Sequence, residues 1–262
     1  MSLLLRGLLG NLDLVALLGA YYLMAHMVKL RAASQGFDPT LVADLAFWVA
    51  VGALVGGRLG YVLPAVQNYI RQPLDLVRIN GGMYFYGALT GGLIFGAWSA
   101  RRSALPFWSI SDAFALYAPA VIAITRISCL LGNECYGARA PAPLGIVFPG
   151  LTQPRYPSEL YEGLVAILIF GSLLWLSQRN LLRGTLFLTF LIAYPLGRAV
   201  VDVTRLNLGT LGAADIYVSV AVALAAAAVL FVRRVREDKA IPTSAPLIRV
   251  EEPQRDLGEG RK

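Results

Sequence analysis

Apolar residues in this chain run in long blocks, with neither the period of a surface helix nor the alternation of a half-buried strand. A helix needs about 20 apolar residues to cross a bilayer, and seven blocks approach that length with few charges inside them. They predict helices at Leu12–Val28, Leu41–Leu63, Met83–Ala100, Ile110–Leu131, Ser158–Leu176, Gly184–Val201 and Asp215–Val232. Breakers separate the blocks: Gly36 with Asp38-Pro39, Gln72-Pro73, Gly81-Gly82 and Ser103 to Pro106. Further on come the Gly- and Pro-rich stretch Gly132–Pro157, then Arg179 to Gly184, then Asn207 to Gly212. A membrane β-barrel would show short alternating segments instead. The expected fold class is all-α, a polytopic membrane protein of about seven transmembrane helices.

The first block follows Arg6 and resembles a secretory signal peptide at first sight. No small-residue cleavage site follows Met24 to Val28, and six more blocks come after it, so it reads as a retained helix. Residues 1–236 then form one transmembrane domain, and the polar stretch 237–262 reads as a disordered cytoplasmic tail. No repeat of fixed period is visible, and no inter-block segment is long enough for a second domain.

Composition agrees with this reading. The chain is 57% hydrophobic and 15% charged, with a mean hydropathy of +0.62, where soluble domains average about 45–50% and about 25%. The net charge of +7 raises the question of nucleic acid, but the basic residues sit mainly at block ends, as membrane topology demands. Nucleic acid is not an expected partner. One side collects Lys29, Arg31, Arg101, Arg102, Arg179, Arg183 and the cluster Arg233, Arg234, Arg236 and Lys239. The other side holds Arg6, Arg71, Arg78, Arg139, Arg155 and Arg205. The denser set belongs in the cytoplasm, which puts the N-terminus outside and the C-terminus inside. Cys129 and Cys135 form neither a CxxC pair nor a zinc pattern, and the single histidine, His26, is distant, so no metal site is expected. A disulfide is open to them in an oxidising compartment; two unrelated buried thiols are the expectation.

Ionisable groups at membrane depth are functional candidates by default. Four clusters on the outer side qualify: Gly56-Gly57-Arg58-Leu59-Gly60-Tyr61, Gly81 to Gly87 including Tyr84 and Tyr86, Arg126 to Gly137 including Glu134, and Pro154-Arg155-Tyr156-Pro157-Ser158-Glu159-Leu160-Tyr161-Glu162. Late in the chain, Arg198, Asp202 and Arg205 share a helix face by their spacings of four and three. Each has a plainer reading: glycines permit close helix packing, Arg198 and Asp202 make a buried pair, and Arg155 snorkels to headgroups. Together, arginines in excess of nearby acids suggest a bound anion, and in a bilayer that anion is a phospholipid phosphate, which the guanidinium fork matches.

These clusters resemble the prolipoprotein diacylglyceryl transferase family of bacterial inner-membrane enzymes, in order, from about Lys29 to Val232. Gly56 to Leu63, Gly81 to Phe85 and Pro154 to Glu162 carry the likeness. Arg126, Leu130, Glu134 and Gly137 keep part of the signature after the fourth helix, and Arg198 and Arg205 match two late arginines. The resemblance implies transfer of a diacylglyceryl group from phosphatidylglycerol to the cysteine thiol of a prolipoprotein signal peptide, with release of glycerol-1-phosphate. It also implies a monomer in contact with membrane lipid, with no cofactor. Arg126 and Arg198 would stabilise the departing phosphate and Tyr86 would stand at the thiol, making these the catalytic candidates. Arg58, Glu134, Gly137, Arg155, Asp202 and Arg205 would bind substrate.

The departures are specific. Tyr86 and Tyr156 stand where the family has histidines, Asp202 replaces a glutamate, and Thr125, Ser128, Cys129 and Gly132 depart from the signature. A tyrosine, with a reference pKa of about 10, is a poor general base. Two alternatives therefore stay open: a phospholipid-dependent transferase with another acceptor, and a non-catalytic lipid-binding or transport protein on the same scaffold.

Overall fold

The computed structural model describes residues 12–71, 82–132, 136–141, 143–208 and 211–240. Seven long helices dominate: α1 (Leu12–Ser34), α2 (Pro39–Val62), α4 (Phe85–Arg102), α5 (Phe107–Gly132), α6 (Ser158–Leu176), α7 (Thr185–Asp202) and α8 (Leu211–Ala240). The short α3 (Val66–Arg71) follows α2 through a 3-10 turn, Leu63–Ala65. Another 3-10 segment, Val203–Leu208, extends α7. Among the described residues there is no strand, only isolated bridges of Arg155 with Arg139 and Ile146. Six of the long helices are long and apolar enough to cross a membrane. The seventh, α4, ends in Arg101 and Arg102 and carries Gly87, Gly91, Gly92 and Gly96, which lowers its hydropathy. The all-α polytopic membrane fold is as expected.

Local chemistry sets the ends. Asp38 caps α2 by accepting a hydrogen bond from the Thr40 amide at 2.8 Å, and Pro39 sits at the first helical position, where a missing N–H costs nothing. α6 spans the residues read from sequence. Most other ends shift by a few residues, and two extend further. α1 continues past Val28 to Ser34, because Lys29 and Arg31 mark the membrane edge without stopping a helix. α8 runs to Ala240, so 237–240, expected in the disordered tail, are helical; Glu, Lys and Ala are good helix formers. The 3-10 segments and α3 carried no recognisable signal. The rest of the expected tail, 241–262, lies outside the described residues.

Packing follows from glycine and from lipid. α2 and α4 cross so closely that a methyl group on Gly56 would strike the carbonyl of Gly87, and one on Gly87 would strike the carbonyl of Gly56. Small residues drive such association in a bilayer, where apolar side chains gain little by leaving lipid. This seam fixes the start of α4, whose neighbouring Tyr84 amide donates to the Gly57 carbonyl at 2.9 Å. One core joins α5, α6 and α7 through Leu116, Leu173, Leu186, Phe190 and Tyr194. A second joins α1, α2 and α5 through Val28, Val42, Leu45 and Ile110. Large apolar side chains on the outer faces, among them Leu18, Leu168, Val200 and Phe231, are exposed. Such a belt requires lipid around it. His26 lies on the exposed face of α1.

Candidate functional site

At one end of the bundle the C-terminal half of α5, the first turn of α6 and the end of α7 bring three arginines onto three carboxylates. Glu159 and Glu162, three residues apart, share one face of α6. Glu162 is the hub, and its side chain is wholly buried. Its Oε1 accepts from Tyr194 Oη at 2.5 Å and from Arg198 Nη1 at 3.0 Å, and lies 3.1 Å from Arg126 Nη2. Its Oε2 accepts from Arg205 Nη2 at 2.8 Å. Glu159 bridges the outer pair, accepting from Arg126 Nη1 at 3.0 Å and from Arg205 Nη2 at 2.6 Å. Asp202 accepts from Arg205 Nη1 at 2.8 Å. Its Oδ2 lies 3.4 Å from Arg198 Nε, near enough for the charges to attract but without hydrogen-bond geometry. Hence Arg198 Nε, Asp202 Oδ2 and Arg126 Nε are buried polar atoms without a hydrogen-bond partner among the described residues.

Arg126 and Arg198 therefore converge, on the same oxygen of one carboxylate. Arg205 joins them although α7 ends at Asp202, because the 3-10 segment carries it round to the same face. The expected excess of arginine is corrected: the described cluster holds three guanidinium groups and three carboxylates. Charge balance is what makes the site tenable, since an unpaired ion at this depth costs several kcal/mol, on the order of 3–5. Arg126 is the most accessible member, its side chain 26% exposed, against 11% for Arg198.

The other predicted residues fall around this hub. Tyr86 is buried on α4, hydrogen-bonded through its hydroxyl to Ser219 of α8. Ser219 Oγ donates in turn to the Asp215 carbonyl at 2.7 Å. Ser219 thus accepts the Tyr86 proton, which leaves the phenol in place as a donor. Phe85, next to Tyr86, lies under the Arg198 guanidinium, 5.2 Å from it. Gly137 is packed: a Cβ there would strike Ser158 Oγ and come within 2.9 Å of the Thr204 carbonyl. Its amide donates to the Tyr156 carbonyl at 2.8 Å. Arg155 stands apart from the ion cluster, 4.8 Å from the Tyr136 ring centroid and donating to the Gly137 carbonyl at 3.3 Å. Arg58 is also apart, donating to the Gly82 carbonyl at 3.0 Å beside the rings of Tyr61 and Tyr69. Glu134 lies outside the described residues. Cys129, expected as an unrelated thiol, is disulfide-bonded; the chain's other cysteine, Cys135, lies outside the described residues.

Glu159, Glu162 and Tyr194 were not singled out as individual site residues in the sequence. The signal was available for the glutamates: two carboxylates one turn apart at the mouth of an apolar block. Nothing marked Tyr194.

The fold and site together define a polytopic membrane protein with a buried arginine–carboxylate network at one end of its helices. The family model for prolipoprotein diacylglyceryl transferase matches residues 9–233. The chain is 33% identical over 200 residues to the phosphatidylglycerol--prolipoprotein diacylglyceryl transferase of Geobacter sulfurreducens, covering 75% of this chain and 76% of the relative. It is 35% identical over 196 residues to that of Methylococcus capsulatus, covering 72% and 74%. With that of Pseudomonas aeruginosa it shares 33% over 212 residues, covering 78% and 77%. The chain belongs to the prolipoprotein diacylglyceryl transferase family.

Proposed function

We propose that the protein transfers the diacylglyceryl group of phosphatidylglycerol to the cysteine thiol of prolipoproteins, in the bacterial inner membrane and as a monomer. The observation that carries this reading is the meeting of Arg126 and Arg198, from two helices, on one oxygen of the buried Glu162. The names of the relatives supply the substrates. The charge rule puts this end of the bundle outside, with the C-terminus in the cytoplasm, so that the network faces the side on which exported prolipoproteins arrive.

In the reaction the sulfur forms a bond to the terminal glycerol carbon of the diacylglyceryl group. The bond from that carbon to the phosphate oxygen breaks with its electron pair, and glycerol-1-phosphate leaves. A phosphodiester carries one negative charge and the departing monoester up to two, so fixed guanidinium groups stabilise the transition state more than the ground state. Glu162, Glu159 and Asp202 hold those groups in place and dry, and Arg126, the most exposed of the three, offers the guanidinium that a lipid phosphate meets first. Arg205 and Asp202 complete the frame; Arg58 and Arg155 line the approach of lipid and peptide, Glu134 remains a substrate-binding candidate from the sequence alone, and Gly137 lets the loop close on Ser158. Tyr86, whose proton is held by Ser219, orients the thiol. The thiol proton passes to Asp215, a carboxylate with no arginine partner among the described residues.

The test is turnover of labelled phosphatidylglycerol with a lipoprotein signal peptide by purified protein. Wild type is expected to release glycerol phosphate and lipidate the peptide, and Arg126→Ala and Arg198→Ala to lose both. Retained lipid binding without release would favour a lipid-binding protein on this scaffold, and release without peptide modification would favour another acceptor.

A further inference from the structure

The opposite end of the bundle holds a second concentration of arginine, and its geometry is different. A pocket of about 240 Å³ opens between the end of α1, the start of α5 and the loop joining α6 to α7. One water needs only about 10–15 Å³ of such space, so a headgroup-sized molecule fits. Arg31, Arg179 and Arg183 line it, with Ser109, Ser177 and Asp112. The charge is one-sided: three guanidinium groups against one carboxylate, none of the three in an ion pair among the described residues.

The single carboxylate is already engaged. Asp112 accepts from the Gly184 amide at 2.6 Å and from the Phe187 amide at 2.8 Å, capping α7 in place of a local side chain. The loop is held from the other side by Arg233, which donates to the Arg183 carbonyl at 2.7 Å and stacks on Trp108 at 4.0 Å. The floor of the pocket is therefore built and rigid. Ser109 is 8% exposed, and its Oγ, buried at the pocket wall, has no hydrogen-bond partner among the described residues. A buried hydroxyl left unpaired costs about 1–3 kcal/mol, which a ligand oxygen would remove.

We infer that this pocket is a phosphate-binding site, separate from the transfer site and on the cytoplasmic face under the charge rule. Its ligand is a phosphate group offered either by an anionic phospholipid of the adjoining leaflet or by a soluble phosphate. Basic pockets between helices on that face suit anionic headgroups, and the forked donors of Arg179 and Arg183 match two phosphate oxygens. An anion here would tie α1 to the α6–α7 loop, between which no side-chain hydrogen bond or ion pair runs among the described residues.

The experiment counts ligands and does not read activity, so its failure is distinct from failure of the transferase reading. Delipidated full-length protein is titrated with phosphatidylglycerol or with phosphatidylcholine, and retained lipids are counted by native mass spectrometry. Inorganic phosphate is titrated separately by calorimetry. Wild type is expected to keep one phosphatidylglycerol more than the triple variant Arg31→Ala, Arg179→Ala, Arg183→Ala, with no difference for phosphatidylcholine. If the lipid counts agree but wild type alone binds inorganic phosphate, the site stands and its ligand is soluble. Arg179→Gln with Arg183→Gln, at two exposed positions, serves as a milder pair of changes with the melting temperature as a folding check. Should the folded variants match wild type in both lipid count and phosphate binding, the site does not exist.

Discussion

The two ends of this bundle use arginine in opposite ways. At the end we assign to the outside, the outer end, Arg126, Arg198 and Arg205 are drawn into the protein and locked on Glu159, Glu162 and Asp202. At the inner end Arg102, Arg179 and Arg233 rest on tryptophan rings, and the carboxylate of the basic pocket, Asp112, caps a helix instead of pairing with them. Inner-end charges sit where water and headgroups solvate them, and they set topology at little cost. Outer-end charges are desolvated and persist only because each is paired. Buried charge held in fixed geometry is an electrostatic tool; exposed charge is an address.

The largest break in that comparison comes from the hub. Glu162→Ala removes the acceptor shared by three arginines and Tyr194 and leaves buried positive charge uncompensated. Removing one partner of such a network costs about 3–5 kcal/mol. The variant should melt far below wild type in detergent and show no transfer. Glu162→Gln keeps the volume but loses the charge, and should fall between the two. A wild-type melting curve for Glu162→Ala would mean that the network holds nothing together.

Next is Arg198→Lys. An ammonium keeps the charge but cannot reach Glu162 and face Asp202 with separate donors as the guanidinium does. Loss of an oriented transition-state donor costs about 10²–10³ in kcat, and the lysine should recover only a small part of what Arg198→Ala loses. Stability should drop less than in Glu162→Ala. Full activity with lysine would show that charge alone suffices and that the fork is incidental.

Much of this difference between the ends was legible in the chain. The apolar blocks gave seven helices because lipid tolerates no unpaired backbone polar group, so length and hydropathy together dictate helix. The spacing of Arg198, Asp202 and Arg205 placed them on one face, and the structure brings them together. Charge balance was not legible: counting arginines cannot reveal that Glu159 and Glu162, at the start of another helix, complete the set. That is a tertiary fact. The separation of Arg155 from the hub is also tertiary, because it lies in a cluster whose Glu159 and Glu162 do reach it; Arg58 instead sits with Gly82, Tyr61 and Tyr69. Gly137 was read as a binding residue, and the structure adds that it packs tightly against Ser158 and Thr204, a close approach that sequence cannot distinguish from ligand contact.

At the inner end a smaller effect is expected from Asp112→Ala. The carboxylate serves two amides at the start of α7, and loss of a helix cap costs about 0.5–2 kcal/mol. Melting should fall by a few degrees while transfer per folded molecule stays at the wild-type level, since α7 carries Arg198 at its far end. Asp112→Asn, which retains one acceptor, should recover part of the loss. A drop in kcat as large as that of Arg198→Lys would mean that the two ends are coupled through α7.

The smallest effect belongs to Tyr86→Phe. The phenol's one hydrogen bond goes to Ser219, and Ser219 keeps its bond to the Asp215 carbonyl when the phenol is gone. A single neutral hydrogen bond contributes about 0.5–1.5 kcal/mol, so turnover should fall by less than about tenfold. Phe85 and Tyr84 would still pack against the ring. Tyr86→His separates positioning from proton transfer: an imidazole titrates near neutral pH and would give transfer a new pH dependence in that range, whereas a position that only orients the thiol would show none. If Phe instead abolishes turnover with lipid binding intact, the phenol itself moves the thiol proton, and the outer end holds a working acid–base group beside its arginines.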